Sequence, residues 1–484
     1  MRTLLLLLFA ICIQPCLINI CFAQETFSEI NVKLNSVEDQ TKQSYVLIDS
    51  ASSGLKIVLA DYKNVYVYEI DSTGKVLAEQ KGEKPNINHN NLLGATASSN
   101  TVSVYLSNSS KTSFSCLTFN KSEAKGRKLI FNSNEQFVQA FKYRSDFYVI
   151  TLKKNTSVMT IYKIDVVENL TSNQIDLSRF RFANSSKYTL YKVLSDSLNM
   201  GSTLKVSRIQ TDIPNTFEDV KDGAKLYLEN GMAIITLDHS TQNTISITIN
   251  MEDYSYKLRS YQQPYTSCED GSESRSNSFL HKNLLYQLKF CNNEIHFQVY
   301  DTSKREPSAK HLITKNNFDI FRNTYLSREA MGKEEIGFHH IYFKRPSKQL
   351  DTTKTAIKYI TRGLPAISVF ESNDQNIISI GGVAEYNRYY NSSTNEWSTI
   401  NTFGNYGVLH LHSEWAKYFR TLLDKDFNHS SDEIIPTVFD EIRSFEQTNE
   451  KKEIAKQLFL WNGNCMFGYY DKELQKYVIL KFKE

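Results

Sequence analysis

Neither sign of charge dominates this chain: 56 basic against 53 acidic residues leave a net charge of +3 over 484 residues. That balance excludes the basic footprint of a nucleic-acid binder and the acidic tail of a solvating segment. Proline numbers eight and glycine eighteen, with no Pro, Gly or Ser tract, so a long disordered chain is excluded. Tryptophan is scarcer still at three, against 28 Tyr and 28 Phe that suit pleated, half-buried strands. Cys-x-x-Cys spacing is absent, which removes a zinc knuckle and a thioredoxin-type redox site. His-Glu-x-x-His, Gly-x-Ser-x-Gly, a phosphate-cradling glycine loop and an EF-hand loop are absent as well.

The first residues read as a secretory leader. Arg2 supplies the positive charge, Leu4 to Ile13 the apolar stretch, and Cys21-Phe22-Ala23 the small residues before cleavage after Ala23. Gln14, Pro15 and Asn19 interrupt the run, and no later segment approaches the roughly 20 apolar residues of a membrane span. The expectation is a signal peptide over 1–23 and an exported mature chain over 24–484, extracellular or periplasmic, with no transmembrane anchor. Four cysteines then remain: Cys116, Cys268, Cys291 and Cys465. In an oxidising compartment one or two disulfides are expected. Cys268 with Cys291 is the favoured pair, because polar turn residues and a strand returning at Leu284 to Phe290 separate them. Seven Asn-x-Ser/Thr sequons, from Asn108 to Asn428, are glycan acceptors only in a eukaryotic secretory pathway.

Short apolar runs separated by turn residues make up most of the remaining chain. Leu55 to Ala60, Val65 to Ile70 and Val76 to Glu79 give strand, turn, strand, turn, strand within about 25 residues. The same grammar recurs at Thr101–Leu106 with Ser113–Phe119, Phe147–Leu152 with Val158–Ile164, and Met232–Asp238 with Ile245–Asn250. It returns at Leu284–Phe290 with Ile295–Tyr300 and at Cys465–Tyr470 with Lys476–Phe482. Several of these runs end on Asp and a polar turn, as at Asp71, Asp301 and Asp471, where the carboxylate is expected to bond turn amides. A period of about 40 to 50 residues with up to four strands per unit predicts an all-β fold: a single β-propeller of about seven blades. Thr26 to Leu34 is placed as an outer strand of the last blade. Two stacked β domains are the alternative, since the units between Leu170 and Tyr227 are poorly marked.

One region departs from the strand pattern. Trp415, Tyr418, Phe419, Leu422 and Leu423 fall at helical spacing, as do Ile435, Val438, Phe439, Ile442 and Phe445, and then Ile454, Ala455, Leu458 and Phe459. Residues 413–460 are therefore expected to form a helical insertion or cap whose apolar stripes pack on the β body.

The stretch Ile377 to Ile400 contains Gly381-Gly382 after an apolar run, then Tyr390, a polar turn and Trp397. It resembles a Kelch repeat, in which paired glycines end the second strand and Tyr and Trp fill the space between blades. No other unit carries both the glycine pair and the Trp, so a regular Kelch array is excluded. The resemblance implies a degenerate propeller; such propellers serve as binding platforms or as secreted enzymes acting on sugars or peptides.

Candidate chemistry is sparse. His410, His412 and Glu414 alternate, so one strand face would present metal-ligand types, but a helix beginning near Ser413 would turn Glu414 away. Cys268-Glu269-Asp270 and the pair Asp424 with Asp426 are acidic turns. With no convergent catalytic set and no cofactor motif, the expectation is a non-enzymatic binding module for a protein or glycan ligand. The alternative is a secreted hydrolase or lyase on sugars or peptides, with perturbed carboxylates and His converging at the propeller axis.

Overall fold

The computed structural model describes residues 24–35, 39–49, 54–98, 100–182, 188–195, 204–240, 242–266, 275–291, 293–331, 334–336, 339–341, 348–350, 355–372, 375–391, 396–398, 408–449 and 453–483. Among these residues seven sheets of four or more strands, antiparallel but for one added strand, follow one another along the chain, and the fold is an all-β propeller. Blade one runs through Gln43–Asp49, Gly54–Ala60, Asn64–Ile70 and Val76–Glu83, blade two from Asn91–Ala97 to Ala124–Leu129, and blade three from Glu135–Tyr143 to Leu170–Asp176. Blade four spans Ala224–Glu229 to Tyr256–Gln262, with Ser207–Arg208 added in parallel to its first strand. Blade five spans Arg275–His281 to Ala309–Ile313.

Blade six breaks sequence order. Its first strands are Leu364–Ser372, Gln375–Asn391 and Val408–Leu423, and its fourth, Leu326–Met331, comes from earlier in the chain. In blade seven, Glu453–Trp461, Asn464–Asp471 and Lys476–Phe482 are completed by Glu25–Asn31 from the other end of the chain, as the sequence predicts. The chain divides into two compact units, Gly82–Ile435 and the residues flanking it on both sides.

Burial follows strand position. Second strands such as Gly54–Ala60 and Val102–Ser107 are buried throughout. Fourth strands such as Val76–Glu83 and Leu170–Asp176 are largely exposed and correspondingly polar. Facing sheets share cores: Tyr105, Cys116 and Phe114 of blade two pack with Phe147, Val149 and Ile164 of blade three.

In six blades the residue that closes the third strand is Asp or Asn, and its side chain accepts backbone N–H groups of the following turn. These are Asp71, Asn120, Asp165, Asn250, Asp301 and Asp424. Asp471 does the same after the second strand of blade seven. In three of these turns the residue three positions on has a left-handed backbone: Gly74 (φ 88°), Glu168 (φ 67°) and Phe427 (φ 64°). The carbonyl of that residue takes a hydrogen bond from the outer strand of the preceding blade. Ser28 Oγ donates to Gly74 O (2.7 Å), Arg127 to Glu168 O (2.8 Å) and His311 Nε2 to Phe427 O (2.8 Å). The carboxylates of Asp71, Asp301 and Asp424 are held below the usual range by these turn hydrogen bonds.

Two expectations are corrected. Among the described residues of 413–460 helix is confined to Val438–Asn449; Val408–Leu423 and Glu453–Trp461 are strands. The apolar residues of 415–423 serve a strand buried on both faces in a multi-stranded sheet, where helical spacing and a continuous apolar run look alike. Val438 and Ile442 of the one helix pack on Cys465, Phe467, Val478 and Leu480 of blade seven. Gly381-Gly382 does not end a strand either, because Gln375–Asn391 continues for nine residues beyond it. Gly382 seats a helix: a Cβ there would lie 1.9 Å from the carbonyl oxygen of Ile360, at the end of Ala356–Thr361.

A chain lacking residues 24–31 is expected to expose the Lys476–Phe482 edge, self-associate on gel filtration and lose protease resistance in blade seven. Unchanged elution and digestion would show that the terminal strand is dispensable.

Candidate functional site

First strands of neighbouring blades pack on one another, as Arg275–His281 does on Leu364–Ser372. The turns that end them therefore gather at one end of this face. Blade four ends its first strand at Glu229, blade five at His281, and blade six at Ser372. Lys282 then turns the chain with φ 55°.

Here the Lys282 ammonium pairs with the Glu371 carboxylate, and the His281 ring Nε2 lies 3.8 Å from the same carboxylate. The Lys282 backbone amide and the Thr211 hydroxyl lie near enough to Glu229 to favour its charged form. His281 is 6% exposed, and both of its ring nitrogens are buried without a hydrogen-bond partner. The hydroxyl of nearby Tyr286 is also buried and unpaired.

The electrostatics set the two carboxyl groups apart. Hydrogen bonding to Lys282 holds Glu371 below the usual range. Burial pushes Glu229 up, only partly offset by the Lys282 amide and Thr211. Burial and then the Lys282 charge push His281 down, so its imidazole is neutral near pH 7. An ionised carboxylate, a carboxyl with raised proton affinity, a neutral imidazole and an ammonium thus meet at one strand-end cluster. Carboxyl groups driven apart in this way are suited to base and acid roles.

None of these four residues stands out in the sequence. They are separated by up to 142 positions, Glu229 to Glu371, and each is an ordinary charged residue before a turn. The residues that do stand out are placed otherwise. His410, His412 and Glu414 alternate along Val408–Leu423, opposite Tyr389, Asn387 and Glu385, so no helix turns Glu414 away. Tyr390 pairs with Trp397 across a short hairpin. The side chains of these residues lie outside the described ones, as do Cys268, Glu269 and Asp270. Asp424 is a turn residue, accepting from the Asp426 and Asn428 amides. Cys116, Cys291 and Cys465 are all buried. Among the described residues no group of three or more His, Cys, Asp or Glu is arranged to hold a metal.

No protein-family profile matches the chain, and no curated protein matches it. Among solved structures, an ACO/RPE65 chimera aligns at 7% identity over 64% of this chain and 64% of its own, with a TM-score of 0.29. Cobalt-substituted Synechocystis ACO, an apocarotenoid oxygenase, aligns at 8% over 64% of each chain, also at 0.29. A variant of the chimera aligns over 56% of this chain and 61% of its own. The chain thus spans less than two thirds of the length of these structures. These structures are oxygenases, against the expectation of a non-catalytic binding module, which is not carried forward. A TM-score this low assigns no activity to the chain.

Proposed function

We propose that the chain is an exported propeller enzyme, a hydrolase or lyase acting on sugars or peptides, with its acid–base groups at Glu229, His281, Lys282 and Glu371. The observation that carries this reading is His281. A purely structural ion pair between blades would leave no reason for a buried ring whose Nδ1 has no hydrogen bond and whose Nε2 stands 3.8 Å from Glu371, beyond hydrogen-bond distance, since buried polar groups are ordinarily satisfied. Beside that ring, Glu371 is suited to take a proton, directly or through a water, and Glu229 to return one to a leaving group. Lys282 faces the developing negative charge. Export through a leader over 1–23 and a Cys268–Cys291 disulfide belong to the same proposal. The Kelch-like character is carried by Ile377 to Ile400 alone.

The test is turnover on a panel of neutral and uronate polysaccharides and of peptides, read as new reducing ends, new amines and new unsaturated ultraviolet absorbance. Glu371→Gln and Glu229→Gln are each expected to lower kcat by about 100-fold or more. kcat/KM should fall on the acid side as Glu371 takes up a proton, at a pH below the usual carboxylate range. It should fall on the alkaline side as Glu229 loses its own, at a pH above that range. No product from any substrate, or full activity in Glu371→Gln, would remove the proposal.

A further inference from the structure

The outer strand of blade four, Tyr256–Gln262, is last in its sheet and leaves one edge unpaired. A hollow of about 350 Å³ opens on one side of it, against residues 180–182, and one of about 510 Å³ on the other, against residues 303–305. Both fall within the size of small-molecule sites, roughly 300–1,000 Å³. Arg259 and Ser260 line both hollows; Arg181 faces the first, and Lys304 and Arg305 the second. Among the described residues no Asp or Glu lines either one.

Cations on an exposed edge guard against strand pairing, and that accounts for Lys257 and Arg259. It does not account for Arg181, Lys304 and Arg305, which arrive from separate segments. The blade two–blade three junction provides the comparison. There Arg127 also bonds a turn carbonyl of the next blade, and the turn neutralises it: Glu168, three residues after Asp165, places its carboxylate 3.0 Å from the Arg127 guanidinium. At the blade four–blade five junction Arg259 bonds the Thr302 carbonyl. Three residues after Asp301, in the place of Glu168, stands Lys304, followed by Arg305. Lys304 keeps only Asp301, at 3.7 Å, and among the described residues neither Arg181 nor Arg305 has an acidic partner. Among the described residues this junction carries a positive charge without an acidic counterpart, where the blade two–blade three junction is balanced.

We propose that this groove binds a ligand carrying phosphate or sulfate monoester groups. A guanidinium holds such an oxyanion through two parallel N–H bonds, and Arg259 commits only part of its five donors to Thr302. The hydroxyl of Ser260 adds a donor, and Tyr261 and Phe180 give apolar walls for the body of the ligand. The site is separate from the Glu229–Glu371 cluster and does not depend on the activity proposed there.

The experiment is calorimetric titration of the mature chain with glucose 6-phosphate, glucose 6-sulfate and, as the neutral control, glucose. One or both esters should bind and glucose should not, with affinity falling as salt is raised. Preference for either ester identifies the source chemistry and supports the site. A Lys304→Glu/Arg305→Glu variant, folded by circular dichroism, should bind the ester at least about tenfold more weakly, whereas Glu371→Gln should bind it normally. Esters that bind no better than glucose, or binding unchanged in the double variant, would overturn the proposal. So would binding lost in Glu371→Gln, which would move it to the strand-end cluster.

Discussion

Gly382→Ala is expected to destabilise the protein by about 3 kcal/mol or more, at or beyond the upper end of ordinary overpacking. The added methyl would sit 1.9 Å from the Ile360 carbonyl oxygen and 2.8 Å from its carbon, both backbone atoms that no rotamer change can move. Relief would require lifting the Ala356–Thr361 helix from the strand. That helix inserts Ala356, Ile357 and Ile360 into the core shared by blades four to six. Gly363 meets the same surface from the other side, its own Cβ position lying 2.7 Å from the carbonyl carbon of Gly382. Gly463→Ala is the control: at φ 72° with nothing within 4 Å, it should cost only the left-handed penalty of roughly 1–2 kcal/mol. Urea denaturation followed by circular dichroism distinguishes the two, and equal midpoints would disprove the seat.

The second large effect concerns Lys225, which is completely buried on the first strand of blade four. Its ammonium donates to the Asp222 carbonyl (2.7 Å) and to Asn277 Oδ1 (3.1 Å), with the Asp238 carboxylate at 3.8 Å. Asp238 in turn accepts from Thr244, from the Ser278 hydroxyl and from the Ser278 amide. Asp238→Ala strands a buried cation and should cost about 3–5 kcal/mol. Lys225→Met removes the cation but leaves Asp238 with three donors, so it should cost markedly less.

Burial, opposed by Asp238 and Asp222, brings Lys225 down to about 8 from 10.5. Between those values the unfolded chain holds a proton that the folded chain has released, so stability rises with pH across that window. The difference amounts to about 3 kcal/mol. It is present in full above pH 10.5 and lost as the pH falls through 8. Denaturation at pH 8 and pH 10 should show a gain in the native chain that is absent in Lys225→Met. The same gain in both would mean that Lys225 does not titrate with folding.

Legibility in the residues divides by strand position. Val65 to Ile70, Val158 to Ile164 and Ile295 to Tyr300 lie within a residue of the observed strand bounds, because strands between two others are apolar on both faces. The polar outer strands Ala124–Leu129 and Leu170–Asp176 escape such a reading, since one exposed face leaves little pattern. Blade six misleads where its strand order departs from chain order, and over 415–423 a long two-sided strand passes for a helix. The closing residues Asp71, Asp301 and Asp471 are legible because a turn carboxylate acts locally.

The sequence by itself determined the fold class, the run of four-stranded units and the terminal strand that completes the last one. These rest on local alternation and turn chemistry, which neighbours in the chain carry. The strand-end cluster and the unneutralised groove were decided by tertiary structure. Glu229, His281 and Glu371 meet because the first strands of three successive blades end side by side. Among the described residues Arg259 meets no acid, because the turn beside it supplies Lys304 where another supplies Glu168. Proximity of that kind comes from packing, and no spacing along the chain encodes it.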